Sequence, residues 1–261
     1  MNKIIKADWF GRRVTAILIL CLLLCFGQTA IGMEPGAEED PLKQGVAQYL
    51  VGRQLFYNAE GTFAEAKETL LAAKPFFLQL PAGAEQYCWL AKVEFLIAEL
   101  EEARGDRRSA QQAFTESERW AEQALEANKS SSIAHQLLAD AYMRLMDYKS
   151  ALYTANKGPQ ALKLLNTAVS LDSKNYPAFI SLATYYLNAP AIAGGSLKKG
   201  VKALEKALRS TDEHDLFLSN LWLGVAYRKL KKEDKAQGYF LKALAIYPQS
   251  PWAKEWMNER K

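Results

Sequence analysis

The chain has 261 residues, with 33 Lys+Arg against 29 Asp+Glu and a formal net charge of +4. Residues 1–32 hold Lys3, Lys6, Arg12 and Arg13 against the single acid Asp8, so the rest of the chain carries 29 basic and 28 acidic residues and is nearly neutral. That balance argues against a nucleic-acid or polybasic membrane surface. With Cys88 the only cysteine beyond residue 32, it also leaves packing rather than disulfides to stabilise the fold.

The first segment is basic, then apolar from Val14 to Phe26, then small at Ala30-Ile31-Gly32. This is the order of a secretory signal peptide. The apolar run falls short of the roughly 20 residues of a membrane span, and an uncleaved N-terminal anchor is the alternative reading. The chain is expected to be exported, to a periplasmic space or to the outer side of an inner membrane. Met33 to Asp40, MEPGAEED, reads as a flexible acidic leader.

From Pro41 onward the apolar spacing is helical and comes in pairs. Gln44–Asn58 and Phe63–Lys74 form the first pair, with Thr62 as N-cap and Gln54 at the position where a small residue is expected. Pro75 and Pro81 bound an apolar linker, Phe76–Leu80. Ala84–Arg104 and Arg107–Asn128 form a longer pair, extended by about two turns per helix, or roughly 10 Å. A third pair opens at the Ser130-Ser131-Ser132 cap with His135, Leu138, Ala139 and Tyr142. It continues through Ala161, Leu165 and Ala168, with Met146–Asn156 as an extension or insertion. The fourth has Phe179, Leu182, Ala183 and Tyr186, then Leu204, Ala207 and Leu208, joined by a loop at 188–196 with Ser196 as the next cap.

Asn220 to Pro248 carries the clearest pattern: Leu223-Gly224, Tyr227, then Ala236, Phe240, Ala243 and Pro248. Small residues let two helices approach, large ones fill the space beside them, and proline ends the second helix. This order resembles the tetratricopeptide (TPR) repeat. The resemblance implies an all-α, right-handed superhelical array of about five hairpins that acts as a protein-interaction scaffold. Pro251–Lys261, with Trp252 and Trp256 four apart, reads as a capping helix. The 188–196 loop, its two glycines and the following LEKAL are also similar to exported bacterial TPR proteins such as the T component of TRAP-type transporters. That likeness implies, as an alternative, a ligand-binding accessory of a solute uptake system.

The motif pattern points away from an enzyme, a cofactor or a metal. The two histidines lie in different hairpins, His135 at a packing position and His214 among Asp212, Glu213 and Asp215 at a helix start. If the first helix of each hairpin lines the concave face, as the TPR resemblance implies, residues one step off the packing stripe would point into it. These are Leu55, Lys92, Phe95, Asp140, Met143, Arg144, Ile180, Thr184, Leu187, Val225, Arg228 and Lys229. The expected occupant is a protein segment or a small apolar ligand. The groove could instead be filled by the chain's own loop, by Phe76–Leu80 or by a second copy. No nucleic acid is expected, and a membrane only through the N-terminal segment.

Overall fold

The computed structural model describes residues 40–259. The signal-or-anchor segment and the leader up to residue 39 lie outside the described residues, as do the last two. Among those described there are eleven α-helices, one short 3-10 turn and no strand. Five antiparallel hairpins follow one another: α1 (Pro41–Tyr57) with α2 (Phe63–Leu78), α3 (Ala84–Ala103) with α4 (Arg107–Ala127), and α5 (Ser132–Leu145) with α6 (Ala151–Leu171). Then come α7 (Tyr176–Asn188) with α8 (Leu197–Ala207) and α9 (Glu213–Lys229) with α10 (Glu233–Ile246), closed by the short α11 (Pro251–Asn258). The all-α superhelical array expected from the sequence is the observed fold.

Side-chain caps set most of the helix starts. Thr62 and Glu65 form a reciprocal capping box on α2, and Ser131, Ser150, Asn175, Ser196, Asp212 and Ser250 each accept from a first-turn N–H. Two helices run through prolines, one of which, Pro75, the sequence spacing makes a boundary. α2 passes Pro75 and ends at Leu78, so Phe76–Leu80 is no linker: Phe77 is fully buried and stacks on Trp89 with ring centroids 5.1 Å apart. The Gln86 amide then donates to the carbonyls of Phe77, Leu78 and Leu80 at 3.2, 3.3 and 2.8 Å, satisfying the frayed end. α6 likewise runs unbroken through Gly158-Pro159, so most of the 146–156 insertion is extra helix rather than loop.

Close approach within the hairpins depends on missing Cβ atoms. A Cβ at Gly224 would stand 2.4 Å from the Phe240 ring, and one at Gly200 would stand 2.7 Å from Leu187. In the first hairpin the residue that seats its partner is Gly52, against Leu70 at 2.7 Å. The apparent departure at Gln54 is thus a shift of two positions, and Gln54 hydrogen-bonds Glu60 instead. Between the first two hairpins, the buried Glu101 takes Lys67 at 2.6 Å and Arg104 at 3.1 Å, while Glu94 takes Lys74.

The two ends of the array meet. Arg53 on α1 pairs with Asp212 at the start of α9 at 3.2 Å, and the backbone N–H of Gln249 donates to Asn58 Oδ1 at 2.9 Å. Trp252 of α11 packs edge-on to Phe56 at 4.8 Å and beside Tyr57 at 5.2 Å, and Tyr57 also meets His214 at 4.4 Å. One apolar core therefore joins Phe56 and Tyr57 to Phe217, Phe240 and Tyr247, near the opposite end of the chain. The three apolar cores close among residues 42–257.

Candidate inner-face site

End-to-end closure turns the concave groove into a narrow interior. Its wall is polar where α1, α3, α5 and α9 face one another. On α3, Lys92 rests its ammonium 4.1 Å from the Trp89 ring, and Trp89 is itself packed edge-on by Tyr49 of α1. Burial lowers the Lys92 pKa; neighbouring Cys88 counters this, Arg53 adds to it, and Asp215 and Asp212 oppose it. Among the described residues Lys92 has no carboxylate within ion-pair distance.

Further along α3, Glu99 accepts from the Tyr57 hydroxyl at 2.6 Å. Burial raises its pKa, against the pull of Arg144 and Tyr57. On α5, Asp140 is hydrogen-bonded by the Gln136 amide, and burial pushes its pKa up to about 7 despite help from Ser181 and Gln136. On α9, Asp215 is buried with Ser210 Oγ at 2.7 Å and is also shifted upward by burial. His214 is held neutral, its pKa lowered to about 3 by burial and by Arg53. Three helices, α3, α5 and α9, thus carry one lysine and three carboxyl groups at positions where burial lets none of the carboxyls ionise as readily as in water.

Three of the twelve residues expected on this face lie in that wall or beside it: Lys92, Asp140 and Arg144. Arg144 is spent on Glu102, over the Phe114 ring. Met143 is half-buried against the second core, and the Thr184 hydroxyl turns back onto the Ser181 carbonyl at 2.8 Å. The rest have packing or bridging roles. Ile180, Leu187 and Val225 are core side chains; Phe95 packs edge-on to Phe114 at 5.3 Å; Leu55 lies against the Gly61 turn. Arg228 holds Glu233 and the Trp256 carbonyl, fixing α11, and Lys229 caps α7 through the Leu187 carbonyl at 2.7 Å and Asn188 at 2.9 Å. Conversely, Tyr49, Arg53, Glu99 and Asp215 were not legible as inner-face residues. In the sequence Tyr49 belongs to the apolar stripe of the first helix, Asp215 to the acidic helix start around His214, and Glu99 to a charged helix end.

Of the segments expected to fill the groove, Phe77 packs against Gly45 and Trp89 and Ile192 of the 188–196 loop is exposed, while the first hairpin docks on the last. Elsewhere the described residues form shallow open clefts, one of about 430 Å³ along α6 at Lys163, Asn166, Thr167, Ser170 and Leu171. Among them no group of three His, Cys, Asp or Glu side chains is arranged to hold a metal, and no helix is long and apolar enough to cross a membrane.

No family model matches the chain, and no curated protein matches it. Solved structures do. TTC0263, a thermophilic TPR protein of Thermus thermophilus, superposes with a TM-score of 0.53 at 19% identity, covering 84% of this chain and 96% of its own. A monomeric mutant of IFIT1 solved with m7Gppp-AAAA gives 0.53 at 16% identity, covering 82% of this chain and 52% of its own. YrrB, described as a TPR protein with an unusual peptide-binding site, gives 0.42 at 16% identity, covering 82% of this chain and 92% of its own. Together with the paired helices and their small-residue contacts, the likeness to TTC0263 shows the fold to be that of a tetratricopeptide-repeat protein.

Proposed function

We propose that this chain is an exported scaffold of the bacterial cell envelope that holds a polypeptide segment of a partner protein on its inner face. The observation that carries the reading is the wall itself. Lys92 stands there over the Trp89 ring with no ion-pair partner among the described residues and only the carboxylates of Asp215 and Asp212 in electrostatic reach, while Glu99 and Asp140, on α3 and α5, are shifted upward by burial. Each carboxyl has a partner, Tyr57, Gln136 or Ser210, but a buried ammonium without a counter-charge is costly to a core that serves packing alone. A guest backbone with its own donors and acceptors would satisfy it. Export rests on the basic, apolar and small-residue order of residues 1–32.

The test is site-specific photocrosslinking in the source cell, with a photoreactive residue at 92 or 140 and, as control, at 163 on α6. The expected result is one polypeptide crosslinked from 92 and 140 and absent from 163. A crosslinked small molecule, or a polypeptide caught only from 163, would overturn the inner-face reading.

A further inference from the structure

The near-neutral total conceals a strong separation of charge along the array. Residues 40–148 carry 11 basic and 16 acidic side chains, whereas residues 149–209 carry nine basic and two acidic ones. Helix α8 concentrates the excess. Lys198 and Lys202 lie one turn apart on an exposed stripe that also carries Glu205, Arg209 is exposed just past the helix end, and the exposed Lys199 and Lys206 lean over the rings of Tyr186 and Phe179 at 5.5 and 5.0 Å. Among the described residues, none of these five basic groups has an acid within ion-pair distance.

The loop that feeds α8 adds an apolar point. Ile192 is 98% exposed, yet its loop is firmly built. The Ser196 N–H donates to the Tyr186 carbonyl at 2.8 Å, the Tyr185 hydroxyl donates to the Ala193 carbonyl at 2.9 Å, and Gly194 makes the turn at φ +91°. A lone exposed aliphatic carries no message. One fixed in water at the head of an unpaired basic row has the make-up of an interfacial membrane contact: an apolar side chain for the headgroup–acyl boundary, and flexible lysine stems whose charges stay with anionic headgroups.

We infer that the outer face formed by the Ile192 loop and α8 docks on an anionic lipid bilayer. The near-neutral composition argues against such a surface only when charge is averaged over the whole chain. An acidic polypeptide could use the lysines but has no need of an isolated projecting isoleucine, which is why the bilayer is favoured.

The experiment is sedimentation of residues 40–261, which hold all three cores, with phosphatidylglycerol–phosphatidylcholine vesicles and with phosphatidylcholine vesicles. Binding is expected to the first only and to be lost at about 0.5 M salt. Ile192→Asp should weaken it at least severalfold, and Lys198→Glu/Lys202→Glu/Arg209→Glu should abolish it, since each basic group near such a surface is worth roughly fivefold. Both variants alter exposed side chains, and circular dichroism checks that each keeps its helices. Equal binding to both vesicle types, or none to either, would overturn the proposal. So would vesicle binding indifferent to both variants, or poly-glutamate or nucleic acid competing the protein off vesicles while Ile192→Asp has no effect.

Discussion

Asp140 shows how much a single inner-face side chain depends on its surroundings. Its carboxyl ordinarily titrates near 3.8, but in the folded chain burial moves it to about 7, so the folded state holds the proton more tightly than the unfolded one. The stability tied to Asp140 is therefore greatest below about pH 3.8, declines as pH rises to about 7, and is level beyond. Burial shifts Glu99 and Asp215 in the same direction. His214 runs the other way, its stability growing as pH rises from about 3 towards 6.5. The variant Asp140→Asn isolates one contribution from this sum. Its stability relative to the parent should grow between about pH 4 and about pH 7. Urea midpoints at an acid and a neutral pH measure that difference, and a constant offset would show that Asp140 does not hold the proton. Gly224 is a steric counterpart. Gly224→Leu must displace the Phe240 ring and is expected to cost at least about 1–3 kcal/mol by urea denaturation. Gly224 was readable from the sequence because close packing selects residues by size. Glu99 and Asp215 were not, because a charge turned inward and a charge turned outward occupy equally plausible helical positions.

At the scale of the elements, hairpin order, caps and turns were legible because each is decided by neighbours a few residues away. The misjudged boundary at Pro75 is one where a tertiary contact overrode a local breaker. Pro75 lacks an N–H and should end α2, but stacking Phe77 on Trp89 and capping by Gln86 keep the helix going. Pro159 interrupts the hydrogen bonding of α6 in the same way. Both prolines are exposed. Pro159→Ala restores an interior hydrogen bond and relieves a clash, at the expense of a freer unfolded chain. It should raise stability by about 1–3 kcal/mol, read as a higher melting temperature; a lower one would mean that Pro159 serves the contact between α6 and its neighbours. Removing the capping box with Thr62→Ala should cost about 1 kcal/mol, seen in the same melts. Curvature, in contrast, is not an element property. It accumulates from small offsets at every hairpin interface, which is why no single stretch announces that α1 will reach α9 and α11.

Over the whole molecule, the Arg53–Asp212 pair, the Asn58–Gln249 hydrogen bond and the Phe56–Trp252 contact unite residues 159, 191 and 196 positions apart in sequence. The double variant Phe56→Ala/Trp252→Ala removes two of the rings of that junction and leaves Tyr57 against His214 and Phe217. It is expected to increase the radius of gyration in small-angle scattering and to broaden the urea transition, while the helical signal remains. An unchanged scattering profile would show that hairpin stacking alone sets the curvature. An open stack of repeats can fray from either end, one unit at a time. A stack with joined ends has no terminus to fray from, so loss of any hairpin must first break the junction, and the chain should unfold in one steep step. The same join lengthens the average loop that folding must close, which slows the search for the native state. For the guest polypeptide proposed above, that join would also set the route in, along the axis or through a parted junction. Capture would then be slow and release slower, and the lifetime of the complex would be set by a door in the scaffold more than by the strength of its grip.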